Sequence, residues 1–104
     1  MDTSDLMTTF QTQDRKFRRA CHHIRILNRK IKMVQLRYDR AFEQQRRTFR
    51  YTYRLQLATL EGMRNMYYEY ACRTADELEE MQDSLIQLGL MSDTESDSEL
   101  DATV

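Results

Sequence analysis

At 104 residues, with no proline and only two glycines, the chain is long enough for one domain and too poor in turn-formers for an ordinary all-β or α/β architecture. Its net charge of −1 conceals a polarity: Asp14–Arg54 holds 14 Lys/Arg against 3 Asp/Glu, whereas Leu55 onward holds 2 against 12. Such a division points to an acidic or polyanionic partner, or to the chain's own other half, and the short apolar runs exclude a membrane-spanning helix.

Residues 1–13 are polar and lack the basic and apolar regions of a secretory signal. They are expected to form a disordered leader, with Thr12 or Asp14 as the helix N-cap. With two cysteines, Cys21 and Cys72, and no such signal, reduced thiols in a cytoplasmic protein are the expectation.

From Phe17 apolar residues recur at heptad spacing. Phe17, Ile24, Ile31 and Tyr38 form one row, and Ala20, Leu27, Val34 and Ala41 a second. A stripe of this kind needs a helix to cover it. Arg18, Arg19, Arg25, Arg29, Lys30, Lys32, Arg37 and Arg40 lie between the rows and make the remaining surface basic.

The stripe loses register over Glu43–Thr48. A new frame runs through Tyr53, Leu60, Tyr67, Thr74, Met81 and Leu88, seconded by Leu57, Ala71, Leu78 and Leu85. The interruption is either the apex of a hairpin or the point where two unbroken helices cross, and the absence of Gly and Pro there favours the unbroken helix. In both cases apolar rows meet apolar rows and the basic arm lies beside the acidic one, with facing residue numbers adding to about 94 or 95. Within the second arm, Phe49, Tyr51, Tyr53, Leu55 and Leu57 alternate with polar residues, the period of a half-buried strand. Helix is preferred because no turn-forming cluster flanks the segment. Gly89 is placed to end the second helix near Leu88, and the remainder reads as a disordered acidic tail.

The predicted fold is therefore all-α: long amphipathic helices in an antiparallel hairpin or antiparallel coiled-coil dimer, spanning 14–88 with a pivot at 43–48, between the leader and an acidic tail at 89–104. Ile24, Leu27, Ile31, Val34, Tyr38, Leu60, Tyr67 and Leu78 are the expected helix-contact residues.

No catalytic constellation is present, and neither an enzymatic activity nor a cofactor is expected. Cys21, His22 and His23 are consecutive, so on a helix they diverge by about 100° each and do not converge on one metal ion. Arg46, Arg47, Arg50 and Arg54, interleaved with aromatics, suit contacts to a nucleic acid. Met81, Leu85, Leu88 and Leu90 have the spacing of a leucine-rich nuclear export signal, which would give a shuttling protein, although the end of any amphipathic helix can match it. Ser92, Thr94, Ser96 and Ser98 each precede an acidic residue by three positions, a pattern suited to acidophilic kinases. The leading expectation is a helical interaction protein, a regulator or adaptor acting on a coiled-coil, cytoskeletal or motor assembly through a helical partner or self-association. The alternative is an RNA- or DNA-binding shuttle protein.

Overall fold

A computed structural model describes residues 3–92, and within them the chain is two helices of equal length. Helix α1 spans Thr3–Glu43 and helix α2 spans Arg47–Gln87, 41 residues each. At 1.5 Å per residue such a helix is about 62 Å long, which matches the longest of the molecule's dimensions, 63 × 30 × 14 Å. The two lie antiparallel as a hairpin, a slab one helix thick. Thr94, Ser96 and Ser98, and the acidic tail from Asp93 onward, lie outside the described residues.

The reversal is made by Gln44, Gln45 and Arg46. Gln45 takes the left-handed conformation at φ 56°. Its N–H donates to the Phe42 carbonyl at 3.1 Å, and the Arg46 N–H donates to the Ala41 carbonyl at 2.9 Å. This pair of bonds is a Schellman motif, which satisfies the last carbonyls of α1 and turns the chain out of the helix axis. The unbroken helix favoured by the absence of Gly and Pro is thus corrected to a closed hairpin, with a glutamine in a position that usually falls to glycine. Helix α2 ends in the same way: Gly89 sits at φ 76°, its N–H bonded to the Ile86 carbonyl and the Leu90 N–H to that of Leu85.

The seam follows the predicted rows. Ala20, Ile24, Leu27, Val34 and Ala41 from α1 and Leu57, Ala71, Thr74, Leu78 and Leu85 from α2 are buried. Ile24 and Ala20 pack with Ala71, and Phe17, Tyr67 and Tyr70 close the cluster. The register is slightly tighter than expected: the cross-helix pairs His23–Tyr67, Asn28–Arg64 and Phe42–Arg50 put the mirror point at residues 45–46 rather than near 47. The turn itself, which takes only three residues out of helix, sets that centre.

The disordered leader is also corrected, because α1 begins at Thr3. Phe10 stands one heptad before Phe17 and extends its row. Leu6, Met7 and Phe10 are half-buried, so the stripe continues back to Leu6. The Thr8 and Thr12 hydroxyls donate to the carbonyls of Ser4 and Thr8, each at 3.0 Å, which leaves Thr12 inside the helix rather than capping it. The strand considered for residues 49–57 is helix throughout. The alternation arises because two helical stripes overlap there: Tyr53 and Leu57 face the seam, while Tyr51 and Leu55, also four apart, face outward.

Candidate functional site

A two-helix hairpin buries one stripe of each helix and leaves two broad faces. One of those faces is apolar. On α2 a second stripe runs through Leu55, Thr59, Met63, Met66 and Tyr70 at three- and four-residue spacing, which places these side chains on one flank of the helix. Leu55 is 52% and Met66 71% exposed. On α1 the matching flank carries Met33 between Lys30 and Arg37.

Where the two flanks meet there is a groove of about 590 Å³, floored by Val34 and Leu60 and walled by Lys30, Met33 and Arg37 on α1 and by Thr52, Leu55, Gln56 and Thr59 on α2. A second hollow of about 480 Å³ continues along α2 between Met63, Met66, Tyr67, Tyr70 and Arg73. A smaller one lies between Met33, Leu36, Arg37 and Arg40. Between them the walls carry Lys30 and Arg37 in the first, Arg73 in the second and Arg37 and Arg40 in the third, and no carboxylate; Arg73 also lines a neighbouring hollow with Glu69.

Of the residues expected to contact a partner helix, Ile24, Leu27, Val34 and Leu78 are buried between α1 and α2, and Ile31, Tyr38, Leu60 and Tyr67 are half-buried there. Their covering helix is the other arm of the same chain. The second stripe lies outside the heptad rows read above and is exposed from Leu55 to Met66, while Tyr70 at its end is half-buried against the seam. Its signal in the sequence is the recurrence of Thr52, Thr59, Met66 and Arg73 at seven-residue intervals beside Leu55 and Met63.

The turn brings the basic segments together. Arg37, Arg40 and Arg46 line one small cavity with Phe49 and Tyr53. The Arg46 guanidinium lies 5.8 Å from the Phe49 ring centroid, and that of Arg50 lies 5.1 Å from Phe42, so two of the cations stack on neighbouring aromatic faces. Arg47 and Arg54 are exposed. The basic and acidic arms, expected to lie side by side, form no interhelical ion pair among the described residues: the single ion pair there is Arg18–Asp14 at 2.8 Å, within α1. The basic face of α1 remains solvated.

Arg64 is the charged residue of the α2 seam row, occupying the heptad place between Leu57 and Ala71. Its Nη1 donates to the Asn28 side-chain oxygen at 3.2 Å and its guanidinium lies 5.9 Å from the Tyr68 ring centroid. Its buried Nε has no partner among the described residues.

His23 stacks on Tyr67 with ring centroids 5.0 Å apart, and Cys21 and Cys72 are free thiols. Among the described residues no group of three His, Cys, Asp or Glu is placed to hold a metal ion, and no helix is long and apolar enough to cross a membrane. In the export-like segment Met81 is half-buried, Leu85 is 0% exposed, and Leu88 and Leu90 are exposed. The four therefore cannot enter one partner groove while the hairpin is closed.

Comparison of the chain with protein-family models, curated proteins and solved structures finds no match.

Proposed function

We propose that this chain is a non-enzymatic interaction module, a regulator or adaptor that receives a helix of a coiled-coil, cytoskeletal or motor assembly on its open apolar face. The observation that supports the reading is the stripe Leu55–Thr59–Met63–Met66 beside Met33, an apolar surface that the chain's own fold leaves uncovered. Contiguous exposed apolar surface on a small monomer marks interaction sites, and a groove between two helices is the shape that a third amphipathic helix fills. Methionines at its centre supply side chains that adapt to a partner's contour.

A photo-crosslinking residue in place of Thr59 tests the proposal. It should join the chain to a helical partner in the native cell, and Leu55→Asp and Met66→Asp should each abolish the adduct while leaving helicity unchanged. Adducts that persist in both variants would remove this face from the function.

The alternative reading, nucleic-acid binding, draws support from the turn, where Arg46, Arg47, Arg50 and Arg54 gather with the exposed Phe42, Phe49 and Tyr51. It requires binding of single-stranded RNA that weakens steeply with salt and is lost when those four arginines are neutralised. Cytoplasmic residence with passage through the nucleus belongs to this alternative, and requires the hairpin end around Leu85 to open.

A further inference from the structure

Resting on the reading of the open face as a helix-docking site, we infer that its occupant is an acidic amphipathic helix: an apolar stripe flanked by Asp or Glu. The apolar track from Leu55 to Tyr70 is about 22 Å long at the helical rise, enough for four turns of a docked helix. Charge then selects among such helices. The walls carry Lys30, Arg37 and Arg40 along one side and Arg73 at the far end, with no carboxylate anywhere along them. Three of the four lie on α1, whose Arg15–Arg40 segment is almost wholly basic, so the rim inherits its sign from the charge division of the chain. None of these four cations forms an ion pair with a described residue, which leaves them available to a ligand. A helix carrying glutamates beside its apolar stripe would place them over Lys30, Arg37 and Arg40 as it enters the groove. A helix flanked by lysines would meet repulsion along the same edge.

A second copy of this chain is a poorer occupant. Two faces related by a two-fold axis can be apposed with their turns at the same end, which sets the Arg46–Arg54 cluster against its own image. With the turns at opposite ends α1 lies on α1, whose Arg15–Arg40 segment holds ten Lys/Arg and one Asp/Glu. Both arrangements bring like charges together, whereas an acidic helix is attracted along the Lys30–Arg40 edge.

The test uses the full chain and two fluorescein-labelled 21-residue peptides with identical leucine stripes, one flanked by glutamates and the other by lysines. Fluorescence anisotropy at low salt should show the glutamate peptide binding at least tenfold more tightly, since each exposed charge pair contributes a factor of roughly 1.4 to 5. Leu55→Asp, at an exposed position outside the seam, should abolish that binding without loss of helicity, and Lys30→Glu/Arg37→Glu should invert the preference. Equal binding of both peptides would refute the acidic specificity and leave helix docking standing. Binding of neither would refute both. An affinity that rises on deleting residues 93–104 would make the chain's own tail the occupant, and a dimer in light scattering that Leu55→Asp dissolves would make it a second copy. Displacement of the glutamate peptide by a single-stranded RNA whose own affinity is indifferent to Leu55→Asp would assign the cations to nucleic acid instead.

Discussion

Replacing Gln45 by glycine separates the hairpin from a continuous helix by the sign of its effect. In the hairpin Gln45 sits at φ 56°, where an L side chain costs about 1–2 kcal/mol because Cβ crowds the neighbouring carbonyl. Glycine removes that cost and adds about 0.5–1 kcal/mol of unfolded-state entropy to be lost on folding. The net expectation for Gln45→Gly is a gain of about 0.5–1 kcal/mol, or roughly 2–6 °C in Tm for a chain of this size. Gln45→Ala keeps the Cβ and should change little. In an unbroken helix the order reverses, because glycine in a helix interior is about 1 kcal/mol worse than alanine. Urea and thermal unfolding followed by circular dichroism, with light scattering to hold the oligomeric state constant, measures both variants. A less stable Gln45→Gly together with a more stable Gln45→Ala would refute the turn.

Leu85, the most completely buried side chain of the described residues, should lose about 2–4 kcal/mol as Leu85→Ala, read as a lower urea midpoint with an unchanged slope. Gly62 lies within α2 with nothing within 4 Å of where a Cβ would stand; Gly62→Ala should therefore stabilise by about 0.5–1 kcal/mol, and a lower Tm would show that this site is covered. Arg64→Met removes a seam cation with an unpartnered Nε and should raise stability by about 1 kcal/mol, while loosening the pairing of the arms; cysteine crosslinking at positions 23 and 67, which face each other, against shifted positions in a background without Cys21 and Cys72 reads the register, and a destabilised variant would show that the Asn28 bond outweighs the desolvation.

Most of the hydrophobic seam was legible in the sequence because heptad rows need only periodicity, and Ala20, Ile24, Leu27 and Val34 are buried as their spacing requires. Three features were not. The turn carries no glycine, since a Schellman motif closed by two backbone bonds tolerates Gln45 at a modest energetic cost. The start of α1 was hidden by the polar residues before Asp14 and by Thr12, which reads as a cap but here donates back to the Thr8 carbonyl. The open face was hidden because α2 carries two stripes, and the stronger one claimed the apolar residues of both: Leu55 reads as a strand residue beside Tyr53 and Leu57 until the helix geometry separates them.

The equal lengths of α1 and α2 bear on the order in which the molecule assembles. Residues adjoining the turn meet after closure of a loop of a few residues, and each step toward the open end lengthens the intervening chain by two, up to the juxtaposition of Thr3 with Gln87. Closure entropy rises only logarithmically with that length, so once Phe42 and Arg50 are together each further pair is added to an existing zipper at small extra cost. The fold should nucleate at the arginine-rich turn and close toward Leu6, Phe10 and Leu85. Amide protection should then decline from the turn to the termini, with the groove around Leu55 standing in the half that forms early and opens last.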